Sequence, residues 1–247
     1  MIVFRIIVRQ IIVIQSLCIP ILYLQFVGCI LFTGCTDLEP NNNDNSNASV
    51  TDFIDSGEKI TFPNASEKIL TPVQYRNWVL ENCLKERRFN DVYFKLLYKP
   101  HDFIICTEEG SLIIHSSQRK KINDELGKME YFELRIGLTS SNGDLLKYQA
   151  VNDQDYENRV KYFAFKFQND IRLITFSGDT IHPALFHFER AYDVAPYCTF
   201  SLGFPDDKIN YKESFALSVR DSVFKSGNIR FVIPAKQFLQ LPKLKTI

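Results

Sequence analysis

The first 70 residues of the chain are unsuited to a packed domain, which restricts the folded part to the sequence that follows. Residues 40–49 are polar and low in complexity, with five asparagines among ten positions. Such a segment cannot bury enough apolar surface to fold. Residues 63–66, Pro-Asn-Ala-Ser, are still typical of a loop. We therefore predict a flexible linker over 35–70 and one globular domain over 71–247.

A cationic and then apolar leader precedes this linker and has the parts of an export signal. Arg5 and Arg9 supply the charge, and residues 11–32 form the apolar run. We predict that residues 1–34 are a signal peptide. An uncleaved transmembrane anchor is an alternative, since about 20 apolar residues span a bilayer. Pro20 and two glutamines in the run favour the signal peptide over a durable span, and simple soluble secretion is the third alternative.

The end of the leader, residues 31–35 with the sequence Leu-Phe-Thr-Gly-Cys, resembles a bacterial lipobox. Phe32 departs from that pattern, which usually has Leu at this place. Cys29 after Gly is a rival site, but the polar linker begins directly after Cys35. The resemblance implies a lipid on Cys35 that holds the protein to a membrane. Because Thr36 is not the aspartate that retains some such proteins in the inner membrane, we expect the bacterial outer membrane, with the domain facing the periplasm or the surface.

Charge excludes two classes of partner. Without the leader, the chain carries 27 basic and 29 acidic residues, a formal net charge of −2. This balance gives no electrostatic footprint for nucleic acid and no polybasic patch for anionic lipid.

The composition and the residue patterns of the domain favour sheet over helix. It is rich in aromatic residues, with 21 Phe and 11 Tyr in the whole chain. The clearest strand has Phe132, Leu134, Ile136 and Leu138 alternating with more polar residues. Further strands are predicted at 92–98, 103–106, 163–167, 171–176, 181–188, 199–204, 215–219 and 229–233. The predicted fold class is α+β, a mainly antiparallel β-sheet or sandwich with two or three helices.

Helix signals are fewer. Thr71 at the N-cap, Pro72 at the first position and Gln74 at the third predict a capping box, after which Tyr75 and Trp78 pack on the core. Further helices are predicted over 116–128, ending near a glycine, and over 153–162, with a terminal helical turn at 236–241.

Candidate chemistry is sparse. The chain has four histidines, and His187 shares a strand face with Glu189, as a general base with an orienting carboxylate would. The alternative is that His187 and Glu189 simply face solvent on the strand and have no catalytic role. The domain lacks the tight ligand spacing of a zinc site, a nucleophile elbow and a phosphate-binding glycine loop, so we expect no metal and no cofactor.

The domain has three cysteines, Cys83, Cys106 and Cys198. In an oxidising compartment an odd number allows one disulfide and one unpaired thiol. Buried free cysteines are the favoured interpretation, and Cys106 with Cys198 is the first pairing to test.

Two aromatic strands around a charged, proline-containing connection form the densest local pattern, residues 185–205. Together with Tyr98-Lys99-Pro100 and the helix of Tyr75 and Trp78, this pattern resembles a family of uncharacterised bacterial surface lipoproteins. The resemblance covers about 71–205 and implies membrane anchoring, with no assigned activity and no catalytic residues.

The same segment is predicted to be a core hairpin. The alternative is a rim that contacts a ligand, formed by these residues: His187, Glu189, Arg190, Tyr192 and Tyr197.

The sequence as a whole favours a non-catalytic, membrane-anchored binding or envelope-assembly module that presents a sheet face or edge to a protein or glycan partner. A cell-surface hydrolase that uses His187 and Glu189 is the second hypothesis, and a purely structural lipoprotein is the third.

Overall fold

The structure is a computed structural model that describes residues 62–108, 112–139, 143–192 and 195–247. All of these residues belong to one compact unit, Ala48–Ile247. The predictions for the leader, for Cys35 and for residues 36–61 of the linker lie outside the described residues. Residues 62–70, predicted as the end of the linker, belong to the folded domain instead: Ala65 is buried, and its amide donates to the carbonyl of Gln240. None of the helices in the described residues combines the length and the apolar character that crossing a bilayer requires.

Five α-helices and eleven strands occur in the described residues. The helices are α1 Pro72–Asn82, α2 His101–Glu108, α3 Ser116–Leu126, α4 Asp153–Phe165 and α5 Lys236–Leu239. The strands are β1 Ile69–Leu70, β2 Leu84–Phe89, β3 Val92–Lys99, β4 Met129–Leu138, β5 Ile171–Ile174, β6 Thr180–Ile181, β7 Leu185–Arg190, β8 Tyr197–Pro205, β9 Phe215–Asp221, β10 Gly227–Ile233 and β11 Lys243–Leu244. Short 3₁₀ helices occur at Leu145–Lys147, Phe167–Asp170 and Asp206–Lys208.

The strands form two antiparallel sheets and one small parallel pair. The larger sheet has the order β2-β3-β4-β8-β7, and the second has the order β10-β9-β5-β6. β1 pairs with β11 in parallel. This architecture confirms the predicted α+β class with mainly antiparallel sheet. The helices are more numerous than the two or three expected, because one apolar segment predicted as a strand is helical.

The capping box at the start of α1 forms as predicted. The Gln74 amide donates to the Thr71 hydroxyl, and the Thr71 amide donates to the Gln74 side chain at 3.0 Å. α1 then buries Tyr75 and Val79, while Trp78 packs edge-on against Phe62. α3 ends at Gly127, whose φ of +68° favours glycine.

Three strand predictions were wrong. The segment Phe103 to Cys106 lies in α2, and all four of its side chains are buried. A short run of four apolar residues fits a buried helix as well as a strand. Residues 163–165 end α4 instead of forming a strand, and a 3₁₀ turn follows. The predicted strand 181–188 is divided around Pro183 into β6 and β7, which belong to different sheets.

Aromatic residues join the two sheets and the helices in one core. Phe163 of α4 lies 5.6 Å from Phe200 of β8, centroid to centroid, and Phe200 lies 4.9 Å from Phe167. At the other end, Phe238 of α5 contacts Tyr98 of β3 and also Phe215 of β9. Burial of each such ring contributes about 1.5–3 kcal/mol.

Cys83, Cys106 and Cys198 are free and buried, as the favoured interpretation predicted. Burial raises the pKa of the Cys198 thiol to about 12. A thiol with such a pKa stays protonated at neutral pH and is a poor nucleophile.

Candidate binding surface

The larger sheet packs one face on the core and leaves the other face partly accessible. Along β4, Leu134 and Ile136 point to the core, while Glu133 and Arg135 point the opposite way. The strand pairing extends this second face, called the open face here, across all five strands. Its residues are Leu84, Glu86 and Arg88 of β2; Tyr93, Lys95, Leu97 and Lys99 of β3; Tyr131, Glu133, Arg135 and Gly137 of β4; Tyr197, Thr199, Ser201 and Gly203 of β8; and Leu185, His187 and Glu189 of β7.

One end of the open face is covered. Tyr131 is buried, and its hydroxyl donates to the carbonyl of Leu126 at the end of α3 at 2.7 Å. The ring of His101 lies 5.8 Å from that of Tyr131 and bonds the carbonyl of Met129. The accessible part of the open face therefore lies away from α3.

Strand register arranges the side chains of the open face in cross-strand rows, in which Leu97 is buried. One row contains Glu86, Lys95, Arg135, Thr199 and Glu189, in that order from β2 to β7. The next row contains Leu84, Leu97, Glu133, Ser201 and His187. The first row is charged except for Thr199, and the second row combines two leucines with a carboxylate, a hydroxyl and an imidazole.

Two carboxylates on the open face, Glu86 and Glu133, are each shared by two cations. Glu86 pairs with Arg88 and with Lys95, whose ammonium lies 3.2 Å away. The bond from Arg88 is the main cause that lowers the pKa of the Glu86 carboxyl.

A second carboxylate, Glu133, is shared in the same way. It accepts from Arg135 at 2.9 Å and lies 3.6 Å from the Lys99 ammonium. Across β2, β3 and β4 the open face therefore has four cations and two carboxylates, an excess of two positive charges.

Two tyrosines border this charged region, and a glycine makes room for them. A Cβ on Gly137 would lie 2.5 Å from the end of the Tyr93 ring and 2.7 Å from the Cβ of Tyr197. The Arg135 guanidinium stacks 4.4 Å from the Tyr197 ring, and the Lys95 ammonium lies 4.8 Å from the Tyr93 ring. Cation–π contacts of this kind contribute about 0.5–1 kcal/mol at exposed sites.

The five residues of the predicted rim do not form one surface. His187, Glu189 and Tyr197 lie on the open face. Arg190 points to the other face of β7 and donates to the Asp144 carboxylate at 2.9 Å. Tyr192 is exposed and stacks on Arg190, with 4.4 Å between the guanidinium and the ring.

The sequence did not single out the cations Lys95, Lys99 and Arg135. Each is a polar member of an alternating strand, which is an ordinary pattern for a solvated face. What they share is their position: in both β3 and β4, the cations occupy the alternate residues whose side chains point away from the core. Only the register of the strands shows that Lys95 and Arg135 are direct neighbours.

The hydrolase hypothesis requires a pocket around His187. The described residues form a small cleft at another place, with a cavity volume of about 10 Å³, lined by these residues: Leu173, Thr175, Phe176, Ile181, Ile209, Asn210, Glu213, Ser214 and Phe215. Within the described ranges, no three His, Cys, Asp or Glu side chains are close enough to hold a metal ion. His187 instead lies on β7 opposite Ser201.

Two acids, the buried Asp144 and the half-buried Glu130, hold neighbouring elements together. Asp144 accepts from the amide of Leu146, from the hydroxyl of Tyr156 and from Arg190. These bonds connect the start of a 3₁₀ helix, α4 and β7.

The second acid, the half-buried Glu130, accepts from the hydroxyls of Tyr98 and Tyr211, both at 2.7 Å. Burial raises the pKa of the Glu130 carboxyl. The two phenols occupy both carboxylate oxygens, so Glu130 links β4 to β3 and to Tyr211, which lies between β8 and β9.

The fold and the open face define an α+β protein with a polar, cationic sheet surface. Comparisons of the chain with protein families, with curated proteins and with solved structures find no match. The resemblance to bacterial surface lipoproteins therefore stays a prediction.

Proposed function

We propose that this protein is a non-catalytic binding module that is tethered to a bacterial membrane by lipid on Cys35. Its open face binds a polar partner in the envelope through acidic groups of that partner. The 26 residues of the predicted linker that precede the described residues, 36–61, would give the domain a reach of roughly 30 Å from the membrane. Cys35 and the linker enter this proposal on the sequence pattern.

The observation that supports a binding role is the shared use of Glu86 and Glu133 by four cations. Each exposed ion pair contributes only about 0–1 kcal/mol, so the cations can exchange one carboxylate for another at little cost. The excess of two positive charges on β2, β3 and β4 favours an anionic partner. Glu189 lies two strands farther away, at the β7 edge.

The rigidity of the surface also favours binding. The cations project from paired strands, and Arg135 is further held by Glu133 and by the Tyr197 ring. A surface that is ordered before binding loses less conformational entropy when a partner docks. The hydroxyls of Thr199 and Ser201, in the adjacent strand, supply uncharged hydrogen-bonding groups next to the cations.

Site-specific photo-cross-linking in intact cells tests this proposal. The full chain carries a benzophenone amino acid at Tyr93, an aromatic residue of the open face, so all four cations stay in place. The matched control carries it at Phe165 on α4, which is 73% exposed. We expect a discrete adduct at Tyr93 that is absent at Phe165, because non-specific encounters favour the more exposed ring.

A charge variant makes the test sharper. Lys99→Glu reverses one of the four cations, so the Tyr93 adduct should weaken several-fold if the partner is anionic. Equal adducts at Tyr93 and Phe165, or no adduct at Tyr93, would contradict binding by the open face. An adduct that Lys99→Glu leaves unchanged would contradict the anionic partner.

A further inference from the structure

Among the described residues, β7 is an edge strand of the larger sheet. β7 pairs with β8 through six consecutive residues, Leu185–Arg190, without a bulge. In the part of the chain that the structure describes, no other strand pairs with β7, and no backbone hydrogen bond joins its outer side to another segment. Unpaired N–H and C=O groups in a row are a template for another strand.

The two edges of this sheet differ in how they are protected. β2, at the opposite edge, has the sequence Leu-Lys-Glu-Arg-Arg-Phe, and four charges among six residues oppose the addition of a strand. β7 has the sequence Leu-Phe-His-Phe-Glu-Arg, with two phenylalanines and only two charged residues, Glu189 and Arg190. It has none of the lysines, prolines or bulges that protect natural edges.

We infer that the β7 edge binds the β7 edge of a second copy of this chain, antiparallel, across a two-fold axis at Phe188. His187 then lies opposite Glu189 of the second copy, and Glu189 lies opposite His187 of the second copy. The imidazole N–H donates to the carboxylate at both places. Phe188 lies opposite the Phe188 of the second copy on the core side. The two sheets join into one sheet of ten strands.

The faces of the strand select this register. Residues that are opposite each other in a pair of strands point to the same face of the sheet. His187 and Glu189 both belong to the open face, so each can oppose only an open-face residue if both open faces lie on one side. A shift of the register in one direction places His187 opposite itself, and a shift in the other places Glu189 opposite itself. Only the intermediate register pairs unlike groups twice.

This arrangement rests on the proposed function in one respect, the tether that holds both copies on one membrane. The interface itself is small, since about five residues of each strand pair. Interfaces below about 1,200 Å² are usually weak and transient. A shared membrane raises the effective concentration of two tethered copies, so we expect the dimer on membranes and monomers in dilute solution.

Disulfide trapping of two full-length copies in membranes tests the register. One copy with one tag carries His187→Cys, and the other copy with a second tag carries Glu189→Cys. Directly opposite Cβ atoms are about 4.5–5.5 Å apart, close to what a disulfide needs, whereas diagonal positions are about 7–8 Å apart. The mixed pair should therefore give about tenfold more cross-linked dimer than H187C alone or E189C alone.

The matched control places the same two cysteines one strand inward, as Ser201→Cys in one copy and Thr199→Cys in the other. These positions lie on the same face, paired with His187 and Glu189 in their own chain, and should not cross-link between copies. The inference is wrong if the mixed pair gives no dimer, or if a single variant or the inward pair gives as much as the mixed pair. The native cysteines among the described residues, Cys83, Cys106 and Cys198, are buried, and the unsubstituted chain gives the background for all native cysteines.

A second measurement keeps the test valid if a cysteine variant misfolds. Energy transfer between two fluorescently labelled, unsubstituted full chains in vesicles reports association directly. Glu189→Lys should reduce the transfer several-fold, and His187→Glu in the same chain should restore it by placing a carboxylate opposite the new ammonium. No transfer between unsubstituted chains, or no restoration, would contradict the pairing. An adduct of two copies has twice the mass of the chain, so this result is separable from the adduct at Tyr93.

Discussion

Replacement of Gly137 by alanine should destabilise the larger sheet by a predictable amount. The new Cβ would lie 2.5 Å from the end of the Tyr93 ring and 2.7 Å from the Cβ of Tyr197. The Tyr93 ring can rotate away, but the Cβ of Tyr197 moves only if β8 moves. Overpacking of this kind costs about 1–3 kcal/mol. The reduced freedom of the unfolded chain offsets about 0.4–1 kcal/mol. The expected net loss is about 1–2 kcal/mol.

Urea unfolding of the full chain in mild detergent measures this loss. Trp78 is the only tryptophan, and it packs against Phe62, so its fluorescence reports unfolding. Gly203→Ala is the matched control on the same face. Its Cβ would meet the Met129 Cε at 2.6 Å, the far end of a flexible side chain, and the Leu185 Cβ at 3.1 Å. It should therefore be less destabilising.

The two glycine variants together decide whether the explanation holds. If Gly137→Ala changes the free energy of unfolding by less than Gly203→Ala does, the close approach of Tyr93 and Tyr197 is not the reason for glycine at position 137. If Gly137→Ala leaves the free energy of unfolding unchanged but abolishes the photo-cross-linked adduct at Tyr93, the substitution affects partner binding and not stability.

Three further predictions concern stability. Asp144→Ala should lower the free energy of unfolding in urea by about 3–5 kcal/mol, because it leaves the Arg190 charge without its carboxylate. Arg190→Met in the same chain should recover part of this loss. If the losses of the two single variants simply add in the double variant, Asp144 and Arg190 are not coupled. Burial raises the folded-state pKa of Glu130, so the folded chain holds that proton more tightly than the unfolded chain. Relative to Glu130→Gln, the unsubstituted chain should gain stability as pH falls from neutral toward the ordinary carboxyl value of 4.5; a difference that is constant with pH would refute this. Thr71→Ala should cost about 1 kcal/mol by removing the N-cap of α1, with thermal unfolding as the assay and no change in stability as the contrary result.

Local signals predicted those elements whose pattern admits one interpretation. The capping residues around Thr71 identified α1, and the long alternation from Phe132 to Leu138 identified β4. The alternation of β4 succeeds because its apolar half faces the core and its charged half faces the open face. These features depend on residues close in sequence, which is why they can be read without the fold.

Elements whose identity depends on tertiary packing were mispredicted. Buried helix α2 and a buried strand have the same apolar composition over residues 103–106. In residues 163–167, Phe163 is buried and Phe165 is 73% exposed, which is the result of a helix end and not of alternation along a strand. β2 was not predicted because four of its six residues are charged, and only its pairing with β3 makes it a strand.

The candidate surface was only partly accessible to sequence analysis. His187 and Glu189 were correctly expected to share a face, since they are alternate residues of one strand. Arg190 was grouped with them by sequence proximity, but it points the other way to Asp144. The cations of β3 and β4 become neighbours through strand register, which single-strand patterns do not contain.

The central claim is that this domain functions at a membrane, tethered through Cys35. The most direct test is the intact mass and the N-terminus of the full-length protein recovered from membranes. We predict an N-terminus at Cys35 that carries a diacylglyceryl group and an amide-linked acyl chain. An unprocessed Met1, or an unlipidated N-terminus at another residue, would contradict the claim.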